Sequence, residues 1–279
     1  MSLRVEKVSK DFSTQHKSTH ALEEVELQVE KGEFVCLLGP SGCGKSTLLN
    51  IIAGLDRATE GEVHLNGREI TGPGPDRVVM FQESALFPWL RVIDNVEFGM
   101  KLAGIPKVER RKKALEYLKM VRLTQFKNSF IHELSGGMKQ RVALARALAL
   151  DSEILLMDEP FAALDSQTKR ILQNELQRIW AETHKTIIFV THSVEEAVLL
   201  GDRIVVMAAN PGRVKAEFRL DLQRPRNLED AQLRAIIAEI MKDLKEEVEK
   251  VAQEEYDLDW STGKDHVLSA GDPTVGVRL

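Results

Sequence analysis

The sequence predicts an α/β fold on a mostly parallel sheet, from three observations. Apolar runs of strand length recur at FVCLL (34–38), VVMF (78–81), ILLM (154–157), TIIFV (186–190) and RIVVM (203–207). They are continuous rather than alternating, as in strands covered on both faces. In the second half of the chain, helix-like segments of 12 residues or more separate them, the alternation of a parallel sheet with crossover helices.

Taken in order, VELQV (25–29) alternates in period two and reads as a half-exposed strand, and FVCLL reads as a buried one. STLLNIIAGL follows as a helix. From about Pro88 to Arg146 no strand is convincing, but KVERRKKALEYLKMV and a segment starting near Gly136 are helical, so a helical subdomain is expected to be inserted between two core strands. A domain is expected over residues 1–226. Residues 227–279 carry a net charge of −7 against +2 for the rest, which marks them as an acidic C-terminal extension. Within it, roughly Leu228 to Val251, Leu233, Ile236, Ile237, Ile240, Met241, Leu244, Val248 and Val251 form the stripe of an amphipathic helix. The final stretch, STGKDHVLSAGDPTVGVRL, is expected to be a mobile end.

Composition limits function. With 5% aromatic residues and a net charge of −5, neither base stacking nor a basic field favours nucleic acid as a partner. No apolar run reaches the roughly 18–20 residues of a membrane span, the N-terminus lacks a signal peptide's apolar stretch, and two cysteines cannot supply a disulfide framework. The expected address is the cytosol.

Three motifs carry chemistry. Gly39-Pro40-Ser41-Gly42-Cys43-Gly44-Lys45-Ser46-Thr47 fits G-x-x-x-x-G-K-[ST] between a strand and a helix. A phosphate must meet backbone N–H groups at close range, which requires glycine, and the helix start adds its positive end. Lys45 supplies charge to the β and γ phosphates, and the Ser46 hydroxyl can ligate Mg²⁺. Second, the strand ILLM ends in Asp158-Glu159-Pro160. Asp158 is placed to hold hydrated Mg²⁺ and Glu159 to take a proton from the water attacking the γ-phosphate. By itself the acid pair could also merely cap the next helix. Third, Leu134-Ser135-Gly136-Gly137-Met138-Lys139-Gln140 opens an apolar helix. Serine and two glycines at a helix start expose donors toward an anion, though as an isolated string it could be a simple cap.

In this order the three motifs resemble the ATP-binding subunit of ATP-binding-cassette (ABC) transporters, over about residues 2–225. The resemblance implies a P-loop NTPase core, an antiparallel β subdomain and an inserted α-helical subdomain, with ATP and Mg²⁺ as cofactors. Gln82 in MFQES then looks like the glutamine that touches Mg²⁺ or the attacking water. Ala163-Leu164-Asp165 looks like the loop that meets the second subunit, and His192 like the switch histidine on the γ-phosphate. Phe12 fits the aromatic stacked on adenine. Gln140 falls with Ser135, Gly136 and Gly137 among the expected nucleotide contacts. Each has a bland alternative: Gln82 as a strand-end polar residue, Phe12 as a core aromatic, His192 as a surface histidine beside the capping-box form Ser193-Val-Glu-Glu196, Asp165 as a helix cap. Ala162 stands where such loops usually carry serine or glycine.

The resemblance further implies a head-to-tail dimer in which each ATP lies between one P-loop and the other chain's Ser135 and Gly137. It also implies integral membrane permease subunits, a separate solute-binding protein, and a peripheral position on the cytoplasmic face of the inner membrane. Phe87-Pro-Trp-Leu-Arg-Val-Ile-Asp-Asn-Val96, and Asn210-Pro-Gly-Arg-Val214 followed by Arg224-Pro-Arg226, resemble the importer branch for nitrate, sulfonates such as taurine, or bicarbonate. Leu86, Phe87, Trp89 and Leu90 are either a groove for a permease helix or the core of the helical subdomain. The alternative function is a soluble ABC ATPase such as an iron–sulfur assembly component.

Overall fold

The computed structural model describes residues 3–13 and 18–264, with side chains through Gln253. Two sheets form. The larger has the order β10-β9-β3-β8-β7-β6, from β3 (Phe34–Leu38), β6 (Arg77–Met80), β7 (Ile154–Asp158), β8 (Thr186–Thr191), β9 (Arg203–Ala208) and β10 (Arg213–Arg219). Its strands are parallel except for β10, which pairs antiparallel with β9. The smaller sheet, β2-β1-β4-β5, is antiparallel and comprises β1 (Leu3–Ser13), β2 (Ser18–Val29), β4 (Glu60–Leu65) and the two-residue β5 (Arg68–Glu69).

The apolar runs are continuous because two cores need them. In β3, Phe34, Cys36 and Leu38 face one cluster while Val35 and Leu37 face the other, and β8 divides likewise between Ile187/Phe189 and Ile188/Val190. All eleven residues of these two strands are buried. One core holds the helical face. The other lies between the large sheet, α1 (Lys45–Ala53) and the antiparallel sheet. Phe189 touches Phe34 and Phe161 at 6.0 and 5.7 Å between ring centroids, a cluster whose truncation to alanine costs about 3–5 kcal/mol.

Between β6 and β7 the chain runs through α2 (Val92–Leu102), α3 (Lys107–Met120), two 3₁₀ turns at 124–126 and 131–133, and α4 (Gly136–Ala149). They pack through Met100, Ala114, Leu118 and Val142. After β7 come α5 (Ser166–Thr183) and α6 (Val194–Leu200), then, beyond β10, α7 (Ala231–Lys264).

Three differences from the sequence reading have physical causes. β4, β5 and β10 were not legible: EGEVHL and RVKAEFR are polar, and take strand form from antiparallel partners. The C-terminal helix runs past Val251 to Lys264, so Ser261–Lys264 of the expected mobile end is helical, and the remainder lies outside the described residues. Of its apolar stripe only Leu233, Ile240 and Leu244 are buried, while Met241 and Val248 stay exposed. One face meets α6 and β9, and it includes Glu247, whose carboxylate accepts from the Ala209 N–H at 3.2 Å.

Candidate functional site: a phosphate loop facing two carboxylates

The strand order explains the site. β8 lies between β3 and β7, with β6 beyond, so the C-terminal ends of four neighbouring strands bring together the loop at 39–47, His192, Asp158–Glu159 and Gln82. Ligands gather at this edge in open parallel sheets. Leu38 is level with Thr191, Asp158 with Val190 and Met80 with Met157.

The loop is held open by its own backbone. Gly42 and Gly44 have φ of +78° and +90°, which glycine adopts without strain. A Cβ on Gly44 would lie 2.5 Å from Leu22 Cδ2 and 2.9 Å from the Ala21 carbonyl oxygen, whereas at Gly42 the space is empty. Close packing of β2 beneath the loop therefore requires the second glycine. Gly39 is pressed against Cys43, whose thiol burial pushes up, so Cys43 fills the inside of the turn. Pro40 and Gly39 offer their carbonyls to Lys45 Nζ at 2.7 and 2.9 Å. Helix α1 begins here with no side-chain cap and no acidic residue in its first turn. Its free N–H groups, positive helix end and Lys45 suit a polyphosphate. Ser41 and Ser46 are exposed and Thr47 half-buried beside them.

Asp158 and Glu159, consecutive in the chain, take different partners. Ser46 Oγ donates to Asp158 Oδ1 at 3.0 Å, joining α1 to the end of β7. Burial pushes the Asp158 carboxyl above the usual carboxylate range, with the Ser46 bond opposing. Two hard oxygens in a partly buried position fit a small divalent cation, whose charge would offset that cost. Glu159 has φ +42°, a left-handed conformation that costs a non-glycine residue of order 1 kcal/mol. This bend sends its carboxylate to His192 Nδ1 at 3.0 Å. His192 is exposed, and behind it Thr191, Glu196 and Gln173 form a buried polar chain that half-buried Lys169 ends. Ser193 caps α6 by accepting from the Glu196 N–H at 3.4 Å, but the Glu196 carboxylate turns to Thr191 and Gln173, so the capping box is half made.

Ser135 caps α4, its Oγ accepting from the Met138 N–H at 3.4 Å, with Gly136 exposed beside it. A Cβ on Gly137 would lie 2.3 Å from Thr168 Cγ2, so the start of α4 sits against the first turn of α5. Asp165 caps α5 through the Thr168 N–H at 2.9 Å, which holds its exposed carboxyl below the usual range. Phe12 is an exposed ring with Lys10 Nζ 4.8 Å from its centroid, on the sheet docked behind the loop. It is not a core aromatic.

Gln140 requires a correction. Expected among the nucleotide contacts, its side chain is 5% exposed and its Nε2 donates to the backbone carbonyls of Gln82 and Pro160. The amide is spent inside the chain, tying α4 to the loops after β6 and β7. The side chain of Gln82 itself is exposed.

Two organising residues escaped the sequence reading. Fully buried Asn95 accepts from the Phe87 N–H at 2.9 Å and donates to the carbonyls of Phe87, Leu90 and Arg91. Arg146 donates to the carbonyls of Ser84 and Ala85 and lies over the Phe87 ring. Asn95 directly follows Asp94 in a mixed stretch, so periodicity gave no signal for it. Together Asn95 and Arg146 brace the turn that carries Trp89, which is 71% exposed and tilted against Phe87 with ring centroids 5.6 Å apart. Trp89 is thus excluded from the core.

The phosphate loop, the acid-ended strand and the histidine bonded to Glu159, on adjacent parallel strands, define a nucleoside-triphosphate hydrolase. The comparisons are specific within that class. The family model for the ABC transporter matches residues 22–162. An uncharacterised ABC transporter ATP-binding protein of Methanocaldococcus jannaschii is 52% identical over 90% of this chain and 94% of its own. The taurine import ATP-binding protein TauB of Rhizobium johnstonii is 47% identical over 92% of this chain and 98% of its own. Among solved structures, a dimeric ATP-binding cassette in a post-hydrolysis state bound to ADP and Pi superposes with a TM-score of 0.68 at 37% identity, covering 79% of this chain and all of that one. This chain belongs to the ABC transporter family, and it is an ATPase.

Proposed function

We propose that this chain powers import of a small anion of the sulfonate type through a membrane permease, as a head-to-tail dimer that closes on ATP and reopens after hydrolysis. The observation that carries the catalytic half is the division of labour between Asp158 on Ser46 and Glu159 on His192. In this reading the backbone N–H groups of Gly42–Thr47 and Lys45 bind the β and γ phosphates. Ser46, Asp158 and Gln82 would hold Mg²⁺, which when bound neutralises phosphate charge. Glu159 accepts the proton of the attacking water at its carboxylate, and His192 orients that carboxylate and reaches the γ-phosphate. Phe12 offers its ring to adenine. Ser135, Gly136 and Gly137, at the capped start of α4, complete the partner's pocket across the dimer with Asp165 beside them.

Dimeric cassettes among the structural relatives and the taurine importers among the sequence relatives support this reading. The soluble alternative is not favoured. No helix of the described residues is long and apolar enough to cross a membrane. In the importer reading the chain sits on the cytoplasmic face through its permease, and a separate binding protein delivers the solute. The exposed Trp89 and the groove lined by Met80, Phe87, Phe98 and Leu102 form the surface proposed for the permease helix. Membrane vesicles carrying this chain with its co-purifying membrane subunits should take up taurine with ATP, and not with Glu159→Gln. ATP-dependent uptake of only a sugar or metal ion would overturn the solute class. A cellular ATPase purified without any membrane subunit would overturn the transport reading.

A further inference from the structure

Only His192 and Ser193 link the end of β8 at Thr191 to the start of α6 at Val194. The His192 side chain is 55% exposed, and the hydrogen bond its ring makes among the described residues is the one to Glu159. Packing therefore does not aim this imidazole; the backbone link must. Glu159 is referenced to the same strand, its N–H donating to the Val190 carbonyl at 3.1 Å.

The link is closed from beneath. The Thr191 hydroxyl accepts from the Ser193 N–H at 3.0 Å, so the turn that carries His192 is bridged from one side to the other. In a complete capping box the Glu196 carboxylate would take that N–H. Instead its Oε2 accepts from the Thr191 hydroxyl, while its Oε1 accepts from Gln173 Nε2 at 3.1 Å and Lys169 Nζ at 2.9 Å. Thr191 and Glu196 are both buried.

Packing alone does not ask for an acid here. The other buried residues of α6 are Val194, Ala197, Val198, Leu199 and Leu200, so an apolar side chain would serve the core. Desolvating a carboxylate opposes folding, and replacing a buried ion pair by apolar groups of similar volume is often neutral or stabilising. What the carboxylate supplies is direction. Donors from β8 and from α5 meet on it, and one of them, Thr191, holds the His192 turn. Lys169 and Gln173 lie in the first half of α5, the helix that Asp165 caps.

We propose that Glu196 is a positioning residue for ATP hydrolysis, fixing through the Thr191 hydroxyl the turn that presents His192 to Glu159 and tying that turn to α5. This role rests on the assignment of Glu159 and His192 to the hydrolytic step.

Its test is a double-mutant cycle in kcat, measured by phosphate release from saturating ATP and Mg²⁺ on the full chain, together with equilibrium ATP binding. Thr191→Val keeps the shape of the strand end and removes the hydroxyl; Glu196→Met keeps the bulk and removes the acceptor. Each should lower kcat about tenfold and leave ATP affinity within about twofold, the split expected when alignment is lost and binding is not. Thr191→Ser, which retains the hydroxyl, should turn over like the parent chain. In a His192→Ala chain neither Thr191→Val nor Glu196→Met should lower kcat further, because the turn then presents nothing that reacts. An equal fold-loss on both backgrounds means that Glu196 serves the fold alone and overturns the role. Undiminished kcat in Thr191→Val and Glu196→Met beside a slow His192→Ala also overturns it, and leaves the reading of the site intact. His192→Ala turning over like the parent chain removes the histidine from the chemistry, and Glu196 with it. Should Glu196→Met fail to fold, the Thr191→Val cycle decides alone.

Discussion

Gln140 donates to the backbone carbonyl of Pro160, the residue after Glu159. A second bond from the same Nε2 reaches the carbonyl of Gln82 at 3.3 Å. The helix whose start is proposed to serve the partner's nucleotide is thereby fastened to the two loops that serve its own. Gln140→Leu keeps the volume and removes both bonds. Turnover should fall about tenfold, the equivalent of one buried hydrogen bond lost from the aligned state, with ATP affinity nearly unchanged and the melting temperature lowered by about 2–4 °C as the Pro160 carbonyl loses its donor. Equal loss of ATP affinity and kcat would make Gln140 merely structural.

Glu159→Gln retains the shape of the acid and loses its basicity. ATP binding should persist while turnover drops by about 10² or more, and the dimer should survive gel filtration with ATP. Wild-type hydrolysis in this variant, measured by phosphate release, would remove Glu159 from the chemistry.

Gly137 separates packing from ligand contact. Gly137→Ala places a methyl in Thr168, and overpacking of this kind costs about 1–3 kcal/mol. Thr168→Ser in the same chain removes the offending methyl, so the melting temperature should recover. If Gly137 also meets the partner's phosphate, ATPase activity should stay low in the double variant. Full recovery of both would reduce this glycine to a packing residue.

The C-terminal helix has an acid-sensitive anchor. Lys215 bridges Glu246 and Glu247 at 2.8 and 3.0 Å, and Glu247 also accepts from the Ala209 N–H. Burial works to raise the Glu247 carboxyl, but the bonds from Lys215 and Ala209 prevail and hold it below its ordinary value of 4.5. A lowered folded value means the stabilisation is complete above the unfolded pKa and is lost as pH falls through the folded one. α7 should therefore loosen from β9 below about pH 4.5, followed by amide chemical shifts of residues 240–250. Glu247→Gln should loosen it at neutral pH and flatten that dependence; an unchanged acid response would place the anchor elsewhere.

Lys45→Ala should lose nucleotide binding and leave the carbonyls of Gly39 and Pro40 without their donor. Equilibrium binding of a fluorescent ATP analogue decides this, and undiminished affinity counts against the phosphate loop.

The sequence by itself determined the parallel core strands and the three motifs, because their requirements are local. A strand covered on both faces must be apolar throughout, as FVCLL and TIIFV are, and a loop that presents N–H groups to phosphate must be glycine-rich. Tertiary structure alone decided what depends on which side chain faces which neighbour. The order β3-β8-β7 sets His192 between loop and acids, α4 turns Gln140 inward, and Asn95 and Arg146 hold Trp89 out of a core its apolar neighbours suggested. Two of the eight stripe residues of α7, Met241 and Val248, stay uncovered, while its docking face takes in Glu247. Periodicity counts apolar positions; it does not say which partner will arrive to bury them.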